Sequence, residues 1–138
     1  DCPVPIVVDH FGLPAPGHSE DDSAVHAILH AGKRRSIYVK LSAPYRCEPA
    51  ACEALVCRYL GELGPERLLW GSDWPWIGNE RGFSYADCRA WLDAWVPDEA
   101  DRRQILWRTP MRLFGFPVSE DEESSSSFAM LKAIRQSA

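Results

Sequence analysis

The sequence predicts an α/β fold on parallel strands, because three short apolar runs alternate with helical stretches and two of the runs end in a charged or titratable residue followed by a break. The first run is Ile6-Val7-Val8-Asp9-His10-Phe11-Gly12, the second Ser36-Ile37-Tyr38-Val39-Lys40-Leu41-Ser42, and the third Arg67-Leu68-Leu69-Trp70-Gly71-Ser72-Asp73. A carboxylate at the end of a buried strand carries a desolvation cost unless it has chemistry to perform. In parallel sheets the loops leaving the carboxyl ends of the strands build the ligand crevice. His10 and Asp73 are therefore expected to end strands at one such crevice.

The spacers fill in the pattern. Ser19 to Ala31 opens on an acidic run suited to a helix start, places Val25, Ile28 and Leu29 at helical spacing, and is expected to stop at Gly32. Glu48-Pro49 opens a second helix with Cys52, Leu55, Val56, Tyr59 and Leu60 as its apolar stripe, ended by Gly61 and Gly64. Ser84 to Trp95 and Asp98 to Trp107 read as two helices broken by Pro97, with Trp91, Leu92, Trp95, Ile105 and Leu106 as packing positions. Residues 1–117 form the expected folded unit. Residues 118–138, acidic and then serine-rich, are expected to be a disordered tail in which Phe128 to Ile134 forms a short helix only against a partner.

The motifs "VVDHFG", "IYVKLSAPYR", "ERLLWGSDWPW" and "ILWRTPMRLFGF", in this order and spacing from Pro5 to Phe116, resemble the amidohydrolase-related (amidohydrolase 2) TIM-barrel hydrolases, which include the 2-pyrone-4,6-dicarboxylate lactonases. The resemblance implies that the strands are the sixth, seventh and eighth of a (β/α)8 barrel. A closed barrel takes about 250 residues, so a chain of 138 residues is expected to be the carboxyl-terminal part, about three βα units plus terminal helices. The open edge at the strand bearing His10 is then expected to promote association, homo-oligomerisation included.

The resemblance also implies a function. The matching family is expected to hydrolyse a small carboxylate-bearing lactone, ester or amide. Asp73 is the expected base for the attacking water and His10 the group that polarises the carbonyl. Where a divalent metal such as zinc or manganese is present, the same His10 and Asp73 are the expected ligands; a site without metal is the alternative. Arg46, with a planar fork that fits a carboxylate, and Tyr45 and Trp74 beside the site are the substrate-binding candidates. A decarboxylase of the same superfamily and a truncated, non-catalytic fragment are the rival readings. This chain alone is expected to be inactive.

Several residues are read more plainly. By strand alternation Asp9 is expected on the face opposite His10, and Lys40 is expected in an ion pair with a carboxylate. His26 and His30, four apart on a helix, read as surface or packing residues, and His18 as a weak alternative ligand. The four histidines contain no His-x-His pair, and Arg108-Thr109-Pro110 replaces the family's usual Asn-Pro or Asn-Ala step, which implies altered packing there. The five cysteines include no C-x-x-C pair and are expected to be free thiols, with Cys52 and Cys57 in or near the core.

Composition narrows the partners. At 46% hydrophobic and 25% charged residues the chain can bury a core, and its net charge of -5 argues against nucleic acid. Without an apolar stretch of about 20 residues or a charged-then-apolar leader after Asp1-Cys2-Pro3, a cytoplasmic protein without membrane partner or signal peptide is expected, acting on a small molecule.

Overall fold

The computed structural model describes residues 4–15, 22–47 and 49–117, with the side chains of 49 and 50 left aside. Three strands, β1 (Ile6–Val8), β2 (Ile37–Leu41) and β3 (Leu68–Trp70), form one parallel sheet in the order β1-β2-β3. Val8 is in register with Val39, and Leu41 with Trp70. Two helices make the crossovers, α1 (Ser23–Gly32) and α2 (Pro49–Leu63), and α3 (Tyr85–Trp95), α4 (Glu99–Arg103) and α5 (Thr109–Phe114) follow the last strand.

Alternation along β2 decides which face is which. Val39 and Leu41 are completely buried and pack with Val25 and Leu29 of α1 and with Cys52, Leu55, Val56 and Tyr59 of α2. Lys40, between them, turns to the other face and pairs with Asp9, Nζ to Oδ1 at 2.6 Å. Leu68, Leu92, Val96 and Ile105 complete the core. At about 1.5–3 kcal/mol for each large aliphatic side chain buried, this layer is what holds three strands of three to five residues in place.

Local signals set most helix ends. Asp22 caps α1, accepting from the Ala24 N–H at 2.7 Å and also from Ala15 N–H at 3.1 Å, so the helix starts at Ser23 rather than within the expected 19–22 stretch. Ser84 and Asp87 form a reciprocal capping box that starts α3 where expected. Helix α2 runs through Gly61 to Leu63, later than the expected end. The cost of a helical glycine, about 1 kcal/mol, is smaller than the gain from keeping Leu63 on the core. Gly64, with φ of +77°, makes the actual stop.

The chain after Asp98 departs furthest from expectation. Instead of ending at Trp107, the helical path continues through a π-helical turn, Gln104–Arg108, directly into α5. Pro110 brings no N–H to the ladder and crowds the preceding turn. The wide turn, in which the Thr109 N–H donates to the Gln104 carbonyl, accommodates it without a break. Thr109 is fully buried, and its hydroxyl donates to the Pro65 carbonyl at 3.3 Å and accepts from Gln104 Nε2 at 3.0 Å. That is the packing at the unusual Arg-Thr-Pro step.

His26 and His30 are exposed on α1, and His26 Nδ1 lies 3.3 Å from Arg58 Nη2. Cys52 is buried as expected, whereas Cys57 is exposed, because its position on α2 faces away from the sheet. His18 and the tail expected at 118–138 lie outside the described residues. Among the described residues no helix is long and apolar enough to cross a membrane.

Candidate active site

All three strands are parallel, so their carboxyl ends open on one edge of the sheet, and each strand leaves it through a residue in the left-handed backbone region. His10 after β1 has φ of 53°, Ala43 after β2 has 52°, and Asp73 after β3 has 59°. Such conformations cost residues other than glycine about 1–3 kcal/mol each and persist only where surrounding contacts hold them. Three in corresponding positions mark this edge as the place where strain is stored.

The contacts that hold them are specific. The Tyr59 hydroxyl, buried under the first loop, donates to the Phe11 carbonyl at 2.8 Å, and the Phe11 ring meets Trp95 edge-on at 5.6 Å. Burial raises the Tyr59 phenol well above its ordinary range, so it stays a donor. Gly12, with φ of +84°, turns the chain where a Cβ would lie 2.4 Å from Ile28 Cδ1. After β3, the Trp76 indole N–H donates to the Ser72 carbonyl at 2.8 Å, and the Trp76 backbone N–H donates to the Asp73 carbonyl at 2.9 Å.

These loops bring three side chains together around Asp73. His10 Nε2 lies 3.7 Å from Asp73 Oδ1, and Arg46 Nε lies 3.7 Å from Oδ2. The Tyr45 hydroxyl donates a hydrogen bond to Oδ2. On its far side the His10 ring is held by Ser42, Nδ1 to Oγ at 2.8 Å, which leaves Nε2 facing the carboxylate. Ser42 itself is buried, 3% exposed. Phe83 stacks on Tyr45 at 5.1 Å, and Trp91 and Trp95 of α3 continue the aromatic contact back to Phe11. The loops after β1 and β2 are thus tied to one helix.

The structure thus gathers His10, Tyr45 and Arg46 around Asp73, while Trp74 stands apart with its side chain 72% exposed on the loop beyond. Sequence reasoning did not single out Ser42. Its signal was its place as the first residue after β2, at the same edge of the sheet as His10. Asp9 is corrected: Lys40 and Ser42 are two apart and share a face, Asp9 meets one and His10 the other, so both point to the same side. Alternation fails there because the chain has already left the strand and turned left-handed at His10. Gly71 also belongs to this face, since a Cβ there would lie 3.2 Å from Lys40 Cδ and 3.7 Å from Ser42 Cβ.

Burial and then the hydrogen bond to Asp73 push the Tyr45 phenol up to about 12. The folded chain therefore keeps this proton between pH 10 and 12, where an unfolded tyrosine has lost it. The stabilisation it gives is complete below pH 10 and is lost as the pH rises toward 12. A near-ultraviolet alkaline titration is expected to lose one late-titrating phenol in Tyr45→Phe; an unchanged late phase would place the phenol in water instead.

A layer of helices over a parallel sheet, with a His, Tyr, Arg and Asp cluster at the carboxyl ends of its strands, is the arrangement of part of a βα-barrel. The chain belongs to the amidohydrolase family, whose model matches residues 1–116. It is 30% identical over 119 residues to the 4-sulfomuconolactone hydrolase of Hydrogenophaga intermedia, an overlap of 81% of this chain and 39% of that protein. A probable 2-pyrone-4,6-dicarboxylic acid hydrolase from Acinetobacter baumannii, solved with citric acid bound, superposes with a TM-score of 0.75 at 27% identity, over 84% of this chain and 45% of that one. An amidohydrolase from Burkholderia multivorans with bound zinc shares the fold, with a TM-score of 0.67 at 22% identity over 83% of this chain and 45% of that one. The chain thus spans less than half the length of these proteins, and its fold is part of a TIM barrel.

Proposed function

We propose that the chain supplies one side of the active site of a hydrolase that opens a small carboxylate-bearing lactone, ester or amide. The observation that carries this reading is the convergence of His10, Tyr45 and Arg46 on the single carboxylate of Asp73. An ionised carboxylate beside a cation and a neutral donor can accept a proton from water and later return it to the leaving oxygen. His10, with Nδ1 engaged by Ser42, presents Nε2 to polarise the substrate carbonyl. Arg46 suits a substrate carboxylate through its planar fork, and Tyr45, donating to Asp73, orients the base. Support comes from the lactone-hydrolase relative and from the neighbour that holds citric acid, a tricarboxylate.

His10 and Asp73 also fit a divalent metal as an imidazole and a carboxylate ligand. Catalytic zinc usually takes three protein ligands, and the described residues contain no group of three or more metal-binding side chains, so further ligands would have to come from outside the described residues. When bound, such an ion lowers the pKa of water and polarises the carbonyl. Holding the proton at Asp73 and orienting the imidazole through Ser42 fall to this chain with or without it.

The substrate reading is tested by proton release. The protein completed by the remaining barrel strands is expected to liberate one proton per molecule of a carboxylated lactone as the ring opens, and little with the corresponding lactone lacking the carboxylate. Equal rates on the two would remove the assigned role of Arg46. The sheet edges make a separate proposal: β1 is an outer strand with Ile6 37% exposed, and it is where a neighbouring barrel strand pairs. The isolated chain is expected to self-associate in sedimentation, and a monodisperse monomer with a cooperative melt would contradict that.

A further inference from the structure

Two cysteines meet beneath the loop that carries Tyr45 and Arg46. The Cys47 N–H donates to the Pro44 carbonyl at 3.0 Å, and Cys52 Sγ, from the first turns of α2, reaches the same carbonyl at 3.7 Å. Both cysteines are thus drawn to one acceptor. The neighbouring Cys52 thiol holds the Cys47 thiol below its ordinary range, and Cys47, with burial, raises Cys52. Cys52 is completely buried, Cys47 is half-buried, and Cys57 is exposed farther along the helix.

We propose that Cys47 and Cys52 are a disulfide-forming pair whose oxidation resets the loop holding Tyr45 and Arg46 against Asp73. Cys47 combines partial exposure with a neighbouring donor that favours its thiolate, the combination that makes a cysteine reactive. A hydroperoxide oxidises that sulfur to a sulfenic acid and is itself reduced to water or an alcohol. The Cys52 sulfur then attacks the sulfenic sulfur, the S–OH bond breaks, and the hydroxide leaves as water with the Cys52 proton. In total two thiols give up two protons and two electrons, which the peroxide accepts.

Closing the bond brings the two sulfurs to about 2.05 Å. It also removes the Cys52 hydrogen bond from the Pro44 carbonyl. Pro44 immediately precedes Tyr45 and Arg46 in the same turn, Pro44–Arg46, so the shift falls on the two side chains that touch Asp73. This coupling rests on the proposed hydrolase reading; formation of the bond does not.

The test separates them. The protein is treated with hydrogen peroxide, its remaining thiols are alkylated, and the tryptic peptide 47–58, which holds Cys47, Cys52 and Cys57, is examined by mass spectrometry. The expected peptide carries one alkyl group, on Cys57, and lacks two hydrogens; Cys57→Ser leaves the bridge intact, and Cys47→Ser and Cys52→Ser each abolish it. Three alkyl groups after peroxide, a bridge that needs Cys57, or sulfonic acid at Cys47 without a bridge would overturn the pairing. In the complete enzyme, oxidation is expected to raise KM for a carboxylated lactone several-fold and dithiothreitol to reverse it. A bridge that forms with KM unchanged would overturn the coupling alone.

Discussion

In the complete barrel, Asp73→Asn is expected to lower turnover by about a hundredfold to ten-thousandfold, the usual scale for removing a positioned acid or base, while substrate binding stays largely intact. The amide fills the same space and can still accept from Tyr45, so the cluster around it keeps its shape. What it cannot do is take a proton from water. The split between kcat and KM is therefore the informative readout. A variant with wild-type turnover would make Asp73 a loop-capping residue. A variant that no longer binds substrate would mean that the carboxylate serves the architecture of the loop rather than the water.

Arg46→Met is expected to do the opposite, raising KM about tenfold to a hundredfold for a carboxylate-bearing substrate with a smaller change in kcat. A charge-assisted hydrogen bond is worth about 1.5–3 kcal/mol, and each 1.4 kcal/mol is about a factor of ten in affinity. The contact exists in ground and transition states alike, so its loss is a loss of uniform binding. Methionine keeps much of the length and the apolar stem. Arg46→Lys, which keeps the charge but not the fork, should recover part of the affinity. Unchanged KM in Arg46→Met would leave the guanidinium, 3.7 Å from Asp73, as a partner of the base alone.

The architecture was legible because it rests on local rules. Apolar runs of strand length separated by amphipathic spacers fixed three parallel strands, and the helix opened by Ser84 began where expected. His10, Arg46, Tyr45 and Asp73 were legible as a group because each lies on the run or turn at the carboxyl end of a strand, and parallel pairing gathers those ends. What was not legible depended on backbone geometry that composition does not encode. The left-handed turn at His10 broke the alternation that assigned Asp9 to the far side. Ser42 looked like a small residue closing a strand until its hydroxyl was seen holding the imidazole. Continuous helix through Gly61 and past Trp107 was decided by packing, since Leu63 and Thr109 secure turns that local propensity would end.

In the proposed reaction the Asp73 cluster delivers water to an acyl carbon. This step is tested most directly by turning over a carboxylated lactone in water enriched in heavy oxygen with the complete enzyme and its Asp73→Asn variant. One heavy oxygen is expected in the newly formed carboxylate, appearing at the wild-type turnover rate and slowed with the rest of the reaction in the variant. Product that has lost carbon dioxide or rearranged without taking up heavy oxygen, or that takes it up equally fast in the variant, would contradict it.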